Sequence, residues 1–135
     1  MIRQLDDQVM VSSQIAPHEV AALAGEGVTM LVNNRPDGEE PGQPFASEIE
    51  QAAAEAGIGY RFVPIIRGIG PADIEEMQNA LRQAGDGKLL AFCRSGTRSA
   101  FAVALAKREE GASADEVSNC LLSAGFDPSP IAHLL

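Results

Sequence analysis

The order of elements along the chain predicts an α/β domain: a single unit over residues 1–135 with a central, mostly parallel sheet flanked by helices. Two observations carry this expectation. Short apolar, β-branched runs alternate with helical stretches of roughly 10–15 residues, the pattern of βαβ units. The chain also has 135 residues, of which 45% are hydrophobic and 21% charged. That size and composition suit one globular domain whose core needs no disulfide or metal staple.

Taken in order, Val9-Met10-Val11 is a first short apolar run, and Pro17 opens a helical stretch to about Gly25, because proline suits a first helical turn. Residues 28–32 are β-branched and apolar, the mark of a buried strand. A Pro- and Gly-rich loop follows at 34–44, then a helix over 46–56 that stops at Gly57. Residues 60–63 form the next strand, ending at Pro64, and Pro71 starts a helix with Ile74, Met77, Ala80 and Leu81 on one face. Gly85 and Gly87 end that helix, and residues 88–92 are a strand. Residues 99–110 are helical, Ser113 and Glu116 have capping-box spacing for another helix, and 128–135 form a last one.

Charge narrows the function. Ten Lys+Arg against nineteen Asp+Glu give a formal net charge of −9, which excludes nucleic acid and anionic membrane surfaces as partners, since both need a basic footprint. The two cysteines, Cys93 and Cys120, form no CxxC pair, so neither a zinc site nor a disulfide framework is expected. No apolar run approaches the length of a membrane span, and the first residues lack a signal core. A cytoplasmic protein without cofactor or metal is the expectation; no Walker or dinucleotide spacing points to a nucleotide.

The chemistry lies in the loop Cys93-Arg94-Ser95-Gly96-Thr97-Arg98-Ser99. It follows an apolar strand and precedes an Ala-rich helix, so its amides converge at a helix N-terminus, where negative charge is stabilised. A cysteine in such a setting has its pKa lowered to about 3.5–7.5 and is a thiolate nucleophile. Gly96 lets the chain curl with its amides inward. Cys93 and Arg98 are the expected catalytic pair, Arg98 forking onto an anion. Ser95, Gly96, Thr97 and Ser99 are expected to bind the anion, Ser99 by donating to the thiolate, and Arg94 is placed outward at the rim. Cys120, beside Leu121 and Leu122, is expected in the core, with His18 and His133 on the surface, far from the site. Arg35 is expected to bridge to Asp37 or to reach the pocket, and Arg67 to add positive charge to the site or to stand solvated on its loop.

Cys-x-x-Gly-x-Arg-Ser resembles the signature loops of rhodanese-type sulfurtransferases and of cysteine-dependent protein phosphatases. The chain as a whole resembles the bacterial beta-lactamase-hydrolase-like family, through Val11-Ser12-Ser13-Gln14, Asn33 to Glu39, Val63-Pro64 and the cysteine loop. That resemblance implies a dual-specificity/tyrosine-phosphatase-like fold and, from the family's name, a metallo-hydrolase partner in sulfur metabolism. The phosphatase signature has a preceding histidine and five residues between cysteine and arginine; here Phe92 precedes Cys93 and four residues separate it from Arg98. The shorter loop resembles the rhodanese one. A phosphatase also needs a general acid, for which Asp37 and Asp73 are the candidates, against a surface-turn role for Asp37 and a helix-N-terminus role for Asp73. The expected function is therefore a sulfurtransferase forming a Cys93 persulfide from a small anionic sulfur donor. A phosphatase acting on a phosphoester through phosphocysteine is the alternative, and a non-catalytic anion- or partner-binding module the second.

Overall fold

Five strands pair in the order β1-β2-β5-β3-β4: Ile2–Gln4 (β1), Val9–Ser12 (β2), Val28–Asn33 (β3), Gly59–Phe62 (β4) and Lys88–Phe92 (β5). The structure, a computed structural model, describes all residues 1–135. Only the β1–β2 pair is antiparallel; β2–β5, β5–β3 and β3–β4 are parallel. The sheet is thus mixed but mostly parallel, as the alternating elements predict.

Helices cover both faces. On one lie α1 (Val20–Gly25, after a 3-10 turn at Pro17–Glu19) and α2 (Ala46–Ala56); Val20, Leu23, Ile49 and Ala53 pack there against Val28, Leu31, Leu90 and Phe92. On the other lie α3 (Pro71–Ala84), α4 (Thr97–Glu109) and α5 (Ala114–Ser123), which bury Met77, Ala80, Val103 and Leu121 against Val9, Val11, Met30, Val32, Leu89 and Ala91. Strand residues alternate between these two cores because successive side chains point to opposite faces. In β3 a register shift between Val28 and Met30 interrupts the alternation, which puts these two residues on opposite faces.

Several expected boundaries move. Strand β1 has no counterpart in the sequence reading: its three residues are half-exposed or exposed and so carry no apolar signal. Helix α4 begins at Thr97, two residues early, because Gly96 caps it directly. The last stretch forms a 3-10 turn, Ser129–Leu134, with Pro130 inside it. Ser113 caps α5 as expected, its Oγ accepting from the Glu116 amide. No helix is long and apolar enough to cross a membrane.

In parallel sheets of this kind, ligands bind beyond the carboxyl ends of the strands. Here the loops after β3, β4 and β5 meet at that edge, with the N-terminus of α4 between them.

Candidate active site

Cys93 follows β5 directly and is fully buried. The turn that carries the chain from it into α4 needs Gly96, whose φ of +93° lies in the left-handed region that favours glycine. This curl aims the Gly96 N–H at the sulfur, donating to Cys93 Sγ at 3.1 Å. Thirteen residues of α4 then run away from the site, so the positive end of the helix dipole faces Cys93. Ser95 is exposed and donates its hydroxyl to Thr97 Oγ1 at 3.1 Å. Arg94 points outward, its side chain 69% exposed and 3.7 Å from Glu40.

Arg98, in the first turn of α4, is the hinge of the electrostatics. Its Nη1 donates to Glu39 Oε2 at 2.7 Å and to the Ile65 carbonyl at 2.8 Å, and its Nη2 donates to Glu39 Oε1 at 2.8 Å. Glu39 above all, and Cys93 beyond it, push the Arg98 pKa above its ordinary value despite burial. The Glu39 carboxylate also accepts from Arg35 Nε at 2.9 Å. Hydrogen bonds from Arg98 and then Arg35 pull its pKa from 4.5 to about 2. Glu39 is therefore ionised at neutral pH and occupies the guanidinium fork of Arg98.

The sequence reading missed the role of Glu39, and of its two expectations for Arg35 the bridge to Asp37 is not formed. The Arg35 side chain is 2% exposed, with Nη2 donating to Glu40 at 2.8 Å and Nη1 to Gln14 at 3.2 Å, beside the Glu39 bond. A buried arginine needs such partners to fill its five donors. The acids that pair with Arg35, Glu39 and Glu40, come two and three positions after Asp37.

The other missed residue is Asn34, buried at the end of β3. Its amide N–H donates to the Phe92 carbonyl at 2.8 Å, and its Nδ2 donates to the Val63 carbonyl at 3.0 Å. Its backbone carbonyl accepts from Ile65 N–H at 3.0 Å, and its Oδ1 accepts from Ser99 Oγ at 2.8 Å. One side chain thus ties together the loops after β3 and β4 and the start of α4. This corrects the role expected of Ser99. Its single hydroxyl proton goes to Asn34, so Ser99 fixes α4 rather than serving the thiolate.

Both candidate acids are engaged at helix N-termini. Asp37 Oδ1 accepts from the Ala46 amide at 2.7 Å, holding the start of α2. Asp73 Oδ2 accepts from the Gly70 amide at 2.9 Å, capping α3. Arg67 is exposed on the loop after β4. Cys120 is half-buried, because α5 turns Val117 and Leu121 to the core instead. His18 is exposed as expected, but His133, also exposed, shares a groove with Arg98. The chain returns after α5 to lay its 3-10 turn beside α4, which sequence distance does not reveal. No cluster of three His, Cys, Asp or Glu side chains is placed to hold a metal ion.

Comparison with known proteins gives this edge of the sheet a context. Residues 1–110 match the family described as beta-lactamase hydrolase-like protein, phosphatase-like domain. A beta-lactamase hydrolase-like protein of Xylella fastidiosa (strain Temecula1) is 39% identical over 129 residues, 93% of this chain and 30% of that protein. The chain thus spans under a third of that relative. Among solved structures, a candidate phosphatase of Neisseria meningitidis is 30% identical, with a TM-score of 0.81 over 98% of this chain and 94% of that one. A kinase-associated phosphatase, 15% identical, shares the fold with a TM-score of 0.71 over 92% of this chain and 82% of that one. The dual-specificity/tyrosine-phosphatase-like fold is therefore present. None of these names supports a rhodanese-like assignment, a sulfur donor or a metallo-hydrolase partner.

Proposed function

The chain belongs to the family of phosphatase-like domains of beta-lactamase hydrolase-like proteins, and on that premise we propose that it is a cysteine-dependent phosphatase. The observation that carries this reading is the Cys93 sulfur at the N-terminus of α4, with the Gly96 N–H at 3.1 Å and Arg98 beside it, in a phosphatase-like fold. The Cys93 thiolate attacks phosphorus, the P–O ester bond breaks, and the leaving oxygen departs with the electron pair. Arg98, released from Glu39, takes the equatorial phosphate oxygens with its planar fork. Water then cleaves the S–P bond and frees phosphate.

The site limits the leaving group. Glu39, held at about 2 by Arg98 and Arg35, carries no proton to give at neutral pH. Asp37 and Asp73 hold helix N-termini. The substrates that fit are those whose leaving oxygen needs no proton, such as aryl or acyl phosphates.

A second reading, sulfur transfer, is favoured by one feature: only four residues separate Cys93 from Arg98, a ring tight enough to suit a terminal sulfur. Cys93 would attack the outer sulfur of thiosulfate, sulfite would leave with the electron pair of the broken S–S bond, and the persulfide would pass its sulfur to cyanide.

Mass spectrometry of intact protein distinguishes the two. With an aryl phosphate, the phosphatase reading expects turnover, a trapped adduct of about 80 Da, and at least a thousand-fold loss in Cys93→Ser. An adduct of about 32 Da from thiosulfate, discharged by cyanide, with no aryl phosphate turnover, overturns it in favour of sulfur transfer.

A further inference from the structure

Beside the catalytic loop lies a groove of about 420 Å³, within the usual size of a site for a small organic ligand. Three separate segments wall it: the loop after β4 with Ile66 and Ile69, helix α4 with Phe101 and Leu105, and the C-terminal 3-10 turn with Ile131 and Leu134. Arg98 also lines it. The same Arg98 interacts with Cys93, so one residue is shared by the groove and the cysteine loop.

The charge of this wall is unusual for the molecule. The chain carries a net charge of −9, yet no Asp or Glu lines the groove, and Arg98 is its one permanently charged residue. An apolar trough without acids, ending on a cation, complements a ligand that has an anionic head and an apolar tail. The residues that close it, Pro130 to Leu134, lie beyond the residues 1–110 matched by the family.

We propose that the groove binds the aliphatic tail of the substrate whose phosphate head reacts at Cys93, which makes the substrate class long-chain acyl phosphates, whose carboxylate leaves without a proton. The proposal rests on the phosphatase reading for the head and on the groove alone for the tail. Each buried methylene tightens binding about four-fold, so chain length is the quantity that reads the groove out.

Calorimetric binding of ethylphosphonate and octylphosphonate, whose C–P bond resists hydrolysis, to the wild-type chain tests it. The expected result is at least about ten-fold tighter binding of the octyl ligand, a small part of what full burial of six more methylenes would give. Leu134→Ser and Ile66→Ser, at exposed positions, are expected to remove most of that preference and leave ethylphosphonate binding unchanged. Equal binding of the two ligands, the outcome if the groove seats a polypeptide instead, overturns the proposal, as does a preference that survives both substitutions. If aryl phosphate turns over but chain length has no effect, the groove assignment fails and the phosphatase stands. If chain length matters and no phosphate turns over, the groove stands and the phosphatase reading falls.

Discussion

Two loops of opposite make meet at Arg98. Residues 93–98 bring donors: the Gly96 amide on the Cys93 sulfur, the helix N-terminus and Arg98 itself. Residues 33–40 bring acceptors and a buried frame: Asn34 bonded to three segments, Arg35 sealed from water, and Glu39 and Glu40 on the arginines. The first loop is a local device, since its six residues build most of its own geometry. The second is a long-range one that fixes where the first stands and what charge it meets. Nucleophilic chemistry can be encoded in one short motif, whereas its electrostatic setting is assembled from segments some sixty residues apart, as Glu39 and Arg98 are.

The largest test of that division is Asn34→Ala. It leaves the Val63 carbonyl and the Ser99 hydroxyl without their side-chain partner in a buried site, at a cost of about 2–3 kcal/mol. Urea denaturation should show a lower midpoint at an unchanged slope. A loss below about 0.5 kcal/mol would mean that the two loops are held independently, and the long-range role assigned to residues 33–40 would fail.

The same division explains which parts of the molecule were legible in the sequence. Strands β3 and β5 announce themselves because they are buried on both faces, and Gly57 ends α2 where expected, in the left-handed conformation. Cys93, Gly96 and Arg98 stand within six residues, so a single stretch reveals them. Asn34 and Glu39 act through partners that only the fold brings near, and their spacing in sequence has no period. One signal was available: Asn33-Asn34-Arg35 places three polar residues immediately after an apolar strand, and all three are buried. Polar groups that enter a core need partners, so such a run marks a hydrogen-bonded junction rather than a simple loop start. The helix-N-terminus role of Asp73 is legible from its place just after Pro71, whereas Asp37 reaches the start of α2 across nine residues, which only the fold brings near.

A medium-sized effect sharpens the comparison within the cysteine loop. Arg98→Lys should lower kcat/KM for an aryl phosphate by at least about ten-fold, because an ammonium cannot satisfy Glu39, the Ile65 carbonyl and a phosphate with one planar fork. Arg94→Lys should change it less than two-fold, since that side chain is exposed and 3.7 Å from its acid. Steady-state kinetics of both variants decide the matter. If Arg94→Lys is the more damaging, the inward and outward positions must be exchanged.

The smallest expected effect bears on Glu39, where the two loops touch. Glu39→Gln removes the carboxylate that competes with an anion for Arg98, so inorganic phosphate should inhibit the variant at about five-fold lower concentration, roughly 1 kcal/mol. Its pH signature is separate and has a defined sign. The folded-state pKa of about 2, set by Arg98 and then Arg35, lies below the ordinary 4.5, so the ionised group stabilises the fold above pH 4.5. That stability is lost as pH falls towards 2. Over this window the wild-type melting temperature should fall more steeply than that of Glu39→Gln, which has no proton to take up. Parallel melting curves from pH 5 to pH 2, with unchanged phosphate inhibition, would mean that Glu39 neither holds nor blocks Arg98 in solution. The Asn34–Ser99 hydrogen bond and the Glu40–Arg94 pair would then join residues 33–40 to the cysteine loop and α4.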